Sequence, residues 1–245
     1  MTIEHEAAEY SESEVKKRRV HLADEEYVTL FVGNLKFARL FASPENLREL
    51  SVGFLVSEGV VSYRRIKRVS VRGVNAFIEV EDAGNLDVLT ELRSSGCVGM
   101  TTEEPPALPS GARFRRDVIT SSLRLLNDSS PTWRATGGTH TAILVSEKGE
   151  RVASFEDIGR HNALDKAVGW ALLNGVRLDD KFLLFTGRIS MGIVYKAVRA
   201  GIPLLVSNTA ALSKAVQAAE KLNLTAIGFA RGEKFTAYTH EERIA

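Results

Sequence analysis

The chain of 245 residues is long enough for one large domain, or for a main domain carrying a smaller one. Its composition, 44% hydrophobic and 26% charged, is that of an ordinary globular protein, and 32 Lys and Arg against 31 Asp and Glu leave no global field to gather nucleic acid or an acidic membrane. No apolar run is long enough to span a bilayer, and the single cysteine, Cys97, excludes an intrachain disulfide and fits a reducing cytoplasm.

Residues 1–20 are polar and charged, without the apolar stretch of a secretory signal, and read as a solvated, disordered tail. From residue 21 the pattern changes. Tyr27 to Val32 and Leu35 to Phe41, rich in β-branched and aromatic residues about Gly33 and Asn34, predict a β-hairpin. Ser43 as N-cap and Pro44 in the first turn predict a helix, with Leu47, Leu50, Phe54 and Leu55 at helical spacing and Gly59 as its stop. Two short strands follow, from Ile66 to Val71 and from Ala76 to Glu81. Residues 21–92 thus read as a small α+β subdomain. Residues 93–110, full of turn formers, read as a long mobile loop bearing Cys97, and a loop of that length in a compact chain is usually functional or disordered.

Over residues 111–245 the rhythm becomes α/β. A helix is expected over 112–126, strands at 140–145 and 152–156, and a helix over 161–173. The strand from Phe182 to Phe185 shows no polar alternation, as in a strand covered on both faces. Two helix–strand units and a last strand, Phe235 to Tyr238, complete the chain. This alternation predicts a largely parallel sheet between helices, with ligands at the carboxyl ends of its strands.

Four segments place polar residues at such ends. In the first, Thr136, Gly137, Gly138 and His140 combine a glycine pair, whose N–H groups can cradle an anion, with a histidine. In the second, Glu156 to Lys166, an acidic pair leaves a strand, and Arg160, His161 and Asn162 crowd a helix start. Those residues offer donors to an anion and a His–carboxylate pair for proton handling. The third, from Thr186 to Ser190, repeats strand, glycine and basic residue, so that Arg160 and Arg188 both follow a glycine and suggest a bipartite phosphate site. The fourth is the basic turn formed by Phe229, Ala230, Arg231, Gly232, Glu233 and Lys234. Neither the P-loop nor the dinucleotide-binding glycine spacing occurs, which argues against a kinase or a dehydrogenase. Cys97, between Gly96 and Gly99 in a polar loop, has the setting of an exposed thiolate that can accept and donate sulfur, provided nearby positive charge lowers its pKa.

Six stretches together resemble the formate dehydrogenase accessory family of FdhD-type sulfurtransferases: GFLVSEG from Gly53, RATGGTH from Arg134, EDIGRHNALDK from Glu156, GRIS from Gly187, AGIP from Ala200 and GFARG from Gly228. They run in the family's order from about residue 22 to the C-terminus. The resemblance implies a cytidine-deaminase-like three-layer α-β-α sandwich with a small N-terminal α+β subdomain, forming a homodimer in the cytoplasm. It also implies a sulfur carrier that takes sulfur from a cysteine desulfurase as a persulfide. The sulfur is passed to the bis-molybdopterin guanine dinucleotide, bound as the sulfuration substrate, before insertion into formate dehydrogenase. By this resemblance Cys97 is the persulfide cysteine and Phe229 to Lys234 bind the cofactor. Met100 stands where the family's Cys-x-x-Cys has its second cysteine, so no resolving thiol is present. A zinc deaminase would need further cysteines, so neither zinc nor another metal ligand set is expected, and neither nucleic acid nor membrane is an expected partner. The rival reading is a non-catalytic cofactor chaperone in which Cys97 is not essential.

Overall fold

Residues 2–81, 92–93, 104–109 and 111–245 are described by the computed structural model, and their strands form three sheets. The stretch expected as a tail over residues 1–20 instead falls, from residue 2 onward, in an antiparallel ribbon of β1 (Thr2–Tyr10) and β2 (Val15–Ala23), which runs on into the start of the expected subdomain. Its register sets acidic β1 against basic β2, with Arg18 2.9 Å from Glu9 and Arg19 3.7 Å from Glu4. This cross-strand charge matching is a pairing signal that a composition-based reading of disorder overlooks.

The small sheet has the order β5-β6-β3-β4-β7, built from β3 (Glu26–Val32), β4 (Leu35–Ala42), β5 (Ile66–Arg72), β6 (Asn75–Val80) and β7 (Leu92–Arg93). Gly33, at φ 58, turns β3 into β4 in a conformation that favours glycine. Helix α1 (Leu47–Ser57) begins later than expected, after Asn46 in the left-handed region. Ser43 does not cap it: its N–H donates to Asp157 and its hydroxyl accepts from the N–H of Ile158, tying the two parts of the chain together. Leu47, Leu50, Phe54 and Leu55 of α1 pack on the small sheet with Val28, Leu30 and Ile78.

The large sheet has the order β13-β12-β11-β10-β8-β9. Before it, the helix expected over 112–126 is divided into α2 (Arg116–Ser122) and α3 (Arg124–Asp128), followed by α4 (Pro131–Thr136). The side chains of Thr120 and Ser122 bond back to carbonyls of the preceding turn, the competition that weakens a helix interior. Then come β8 (His140–Ser146), β9 (Arg151–Asp157), α5 (Arg160–Leu173), β10 (Lys181–Phe185), α6 (Met191–Ala200), β11 (Leu204–Ser207), α7 (Ser213–Lys221), β12 (Thr225–Arg231) and β13 (Lys234–Ala237). Only part of this sheet is parallel: β10-β11 and β11-β12 are, whereas β8 is antiparallel to both β9 and β10, and β13 to β12. The cause lies in short connections. The link from β8 to β9 and the turn from β12 to β13 are too short for a crossover helix, so each joins an antiparallel pair.

Side chains alternate across the large sheet, yet both faces are apolar. Leu183, Phe185 and Leu205 meet α5, α6 and α7, while Phe182, Leu184 and Val206 meet Ile119 of α2 and Phe114. Helices on both sides explain why no polar alternation is visible in these strands.

The two parts join along α1 and α5, where Gly53 and Gly169 let the backbones touch. A Cβ at Gly53 would lie 1.7 Å from the carbonyl oxygen of Asp165, and one at Gly169 would lie 1.9 Å from that of Glu49. Two fully buried lysines flank this crossing. Lys166 lies 2.7 Å from Asp157 and donates to the carbonyls of Ser43 and Glu156. Lys196 lies 2.6 Å from Asp165 and 2.9 Å from Glu58, and Ser57 donates to the other oxygen of Asp165 at 2.5 Å. Each buried charge is matched, without which burial would cost several kcal/mol per ion.

Candidate functional site

Because β8 runs against β10, its start lies beside the ends of its neighbours. The register pairs His140 with Asp157, Ala142 with Phe185, Phe185 with Ser207 and Val206 with Ile227. All four polar segments therefore reach one edge of the large sheet, as does the loop after β11.

A cleft of about 610 Å³ opens there. It is lined by Gly137, Gly138, Thr139 and His140 at the start of β8, Thr186 and Gly187 after β10, Asn208 and Thr209 after β11, and Ala230, Arg231 and Gly232 at the end of β12. Leu123, Leu126 and Trp133 line it as well. Its size lies within the range of small-molecule sites, and it combines an apolar wall with convergent polar groups.

Hydrogen bonds fix the sheet side. The hydroxyl of Thr186 accepts from the N–H of Thr141 at 3.0 Å and lies 3.1 Å from Nδ1 of His140. Ser207 donates to the carbonyl of Gly187 at 2.7 Å and accepts from the N–H of Thr209. The N–H of Phe229 donates to the carbonyl of Thr209 at 2.9 Å, and Arg231 reaches the carbonyl of Asn208. Gly228 permits this contact, since a Cβ there would stand 2.8 Å from the same Thr209 oxygen. Phe229 sits in the left-handed region at φ 50, beside an irregularity in the β12–β13 pairing, and its ring is 49% exposed. Such backbone strain is concentrated at functional sites. Oδ1 of Asn208 is buried and without a hydrogen-bond partner among the described residues.

The positions expected to bind a cofactor divide into four groups. Gly137, Gly138, His140, Ala230, Arg231 and Gly232 line the cleft, and Thr136 stands beside it, its hydroxyl accepting from the N–H of Gly138. Phe229, Glu233 and Lys234 line a separate depression of about 690 Å³ on the other side of the β12–β13 turn. Arg160 and His161 stand behind the cleft wall. A Cβ on Gly187 would lie 3.0 Å from Cδ of Arg160 and 3.1 Å from Cε1 of His140, so Arg160 packs directly on the glycine turn. His161 faces Gly192 and lies 3.5 Å from the hydroxyl of Ser190. Arg188 is exposed and is not a lining residue of the cleft, so the two arginines do not form the matched pair their spacing suggested. Cys97, expected to carry sulfur, and Met100 lie outside the described residues.

The acidic residues of the Glu156–Lys166 run have structural partners. Glu156 accepts from the N–H groups of Thr132 and Trp133 and from the hydroxyl of Thr139, holding the start of α4. Asp157 accepts from Gly159, Asn162 and Ser43 and pairs with Lys166. The expected His–carboxylate proton pair is therefore not formed. Burial and then Arg160 hold His140 below its usual range, and burial, Lys196 and Arg160 hold His161 well below it, which favours the uncharged form of both. The positive charge beside the cleft belongs to the arginines.

Trp133, Asn208 and Thr209 escaped the sequence reading. Asn208 and Thr209 had a signal, because they follow the apolar strand Leu204 to Val206 as the other polar segments follow theirs. Trp133 had none, since its role depends on how α4 packs across the sheet edge. Among the described residues, no group of three His, Cys, Asp or Glu side chains is placed to hold a metal ion, and no helix is long and apolar enough to cross a membrane.

Comparison with known proteins places the chain among relatives of one family. The "Sulfur carrier protein FdhD" of Methanothermobacter thermautotrophicus is 38% identical over 212 residues, 84% of each chain. The protein of the same name from Bacillus subtilis is 33% identical over 248 residues, covering 96% of this chain and 94% of that one. A crystal structure from Desulfotalea psychrophila, described as that of a formate dehydrogenase accessory protein, shares the fold with a TM-score of 0.83 at 23% identity, over 100% of this chain and 99% of the other. The family model described as the FdhD/NarQ family matches residues 23–245, and the chain belongs to that family.

Proposed function

We propose that this chain is a cytoplasmic, homodimeric sulfur carrier required for formate dehydrogenase activity. The observation that carries this reading is the convergence of five strand-end segments, distant in sequence, on one cleft of nucleotide-compatible size, in a chain whose relatives bear the name sulfur carrier protein. The helices on both faces of the large sheet are consistent with a cytidine-deaminase-like sandwich adapted to binding rather than to zinc chemistry.

In this reading the cleft receives one guanine dinucleotide arm of the bis-molybdopterin guanine dinucleotide, or its tungsten counterpart, as substrate. Arg231 faces its phosphates, the side-chain-free turn of Gly137 and Gly138 leaves room for them, and Arg160 adds positive charge from behind Gly187. A charge-assisted hydrogen bond contributes roughly 1.5–3 kcal/mol, enough to retain an anion without net protein charge. The depression bearing Phe229 and Lys234 extends the binding surface across the turn. Cys97 performs the transfer. Its thiolate attacks the terminal sulfur of the desulfurase persulfide, forming a new S–S bond as the old one breaks and the desulfurase thiolate leaves. The outer sulfur would then pass to the metal centre of the bound cofactor as the S–S bond breaks and the Cys97 thiolate leaves, the reduced metal supplying the two electrons that take the sulfur to sulfide, before the cofactor enters formate dehydrogenase.

Replacing Cys97 by Ala tests the assignment. Formate dehydrogenase maturation is expected to fail while GDP binding by calorimetry persists. Full maturation by Cys97→Ala would instead support a non-catalytic cofactor chaperone.

A further inference from the structure

We propose that Trp133 is the ring-stacking residue of the cleft, the wall against which the planar base of the nucleotide lies. The inference rests on the reading above that this cleft takes a guanine nucleotide, and it assigns a residue within it. Trp133 lines the cleft and is 49% exposed, so much of a large aromatic side chain there is uncovered and available to an occupant. Burying such a ring against a base is favourable, and this form of recognition needs no sequence-like code.

Its carrier is held in place from several directions, which is unusual for a six-residue helix. Glu156 anchors the first turn of α4 through the N–H groups of Thr132 and Trp133, at 2.9 and 2.8 Å. Gly137 closes the other end at φ 67, its N–H donating to the carbonyl of Trp133 at 2.7 Å. On the outer side β2 packs along α4, and Ala23 lies so near Gly138 that a Cβ there would be 2.9 Å away. The indole is thus presented by a braced element rather than by a loose surface turn, and the ordering cost of stacking is already met in the fold.

A second observation points to the same occupant. Asn208 also lines the cleft, and its Oδ1 is a buried acceptor with no partner among the described residues. Buried polar atoms of this kind are uncommon and call for an explanation. A stacked guanine, with N–H donors on its ring edge, supplies a partner once the Asn208 amide turns toward it.

The chain has two tryptophans, Trp133 and Trp170, and Trp170 lies in α5 and is not a lining residue of the cleft. The test is a GDP titration of the full chain, followed by tryptophan emission and, in parallel, by calorimetry. GDP is expected to quench emission in the wild type and in Trp170→Phe. In Trp133→Phe the quench should vanish while affinity stays within about threefold, because a ring still stacks; in Trp133→Ala affinity should fall about tenfold. Quenching that survives in Trp133→Phe, or wild-type affinity in Trp133→Ala, overturns the assignment but leaves the nucleotide reading intact. Should Trp133→Ala fail to fold, the Trp133→Phe emission decides. Absence of any GDP binding by the wild type in calorimetry overturns both.

Discussion

The seam between α1 and α5 and the cleft at the sheet edge are built from the same short run of sequence, yet they behave oppositely. Asp157, Asn162, Asp165 and Lys166 turn into the seam, where each finds a partner and is nearly or wholly buried. Arg160 and His161, in the first turn of the same helix, stand instead behind the cleft against Gly187 and Gly192, and the strand ends around that cleft keep a strained Phe229 and an Asn208 oxygen without a partner among the described residues. A dense cluster of polar residues at a strand end is thus not one signal. Four of its residues make the platform rigid, and the other two flank the glycine turn beside the cleft.

The largest expected effect of breaking this distinction falls on the seam. Lys196→Ala leaves Asp165 and Glu58 buried without their cation, and is expected to cost about 3–5 kcal/mol in denaturant unfolding. A loss below about 1 kcal/mol would mean that water or rearrangement relieves the charges and that the seam is not the rigid element described.

An intermediate effect lies in the pH dependence, where the two regions have opposite signs. His161 is depressed in the folded state, so its contribution is fully present above its ordinary value of 6.5 and is lost as the pH falls below it. Asp165 is raised to about 6 by burial, so its contribution is present below 3.8 and is lost as the pH rises through about 6. Between pH 7 and 5 the site therefore loses stability while the seam gains it, each by at most about 1.4 kcal/mol per pH unit. The difference in unfolding free energy between His161→Gln and the wild type should therefore shift in favour of the variant as the pH falls from 7 to 5, because only the His161 contribution is removed. An unchanged slope would show that His161 is not held neutral.

The smallest expected effect on stability, and the sharpest contrast, is at Arg231. Its side chain is exposed at the cleft, so Arg231→Ala should change unfolding by no more than about 0.5 kcal/mol. GDP affinity should nonetheless fall about tenfold, as one charge-assisted contact is lost. Equal loss in both assays would assign Arg231 to the frame rather than to the ligand.

Much of this molecule was legible in local pattern. The turn at Gly33, the apolar strands of the large sheet and the glycine-bearing strand ends announce themselves through turn chemistry and periodicity, and the mixed α/β character follows from their order. What was hidden depends on distance in sequence. Nothing near Ser43 indicates that it bonds Asp157 and Ile158 rather than capping α1. The closeness required at Gly53 appears only when α5 is laid against it. The ribbon of residues 2–23 was misread because its charges cancel across strands rather than along one. Likewise Arg160 and Arg188 share a local motif, but one packs beneath a glycine turn and the other points to solvent, a difference set by which side of the loop each occupies.

The measurement that bears most directly on sulfur carriage is the intact mass of the chain after incubation with a cysteine desulfurase and cysteine. One added sulfur atom is expected in the wild type, reversible by reductant and absent from Cys97→Ala. A mass that does not change in the wild type, or that changes equally in Cys97→Ala, would contradict the carrier function.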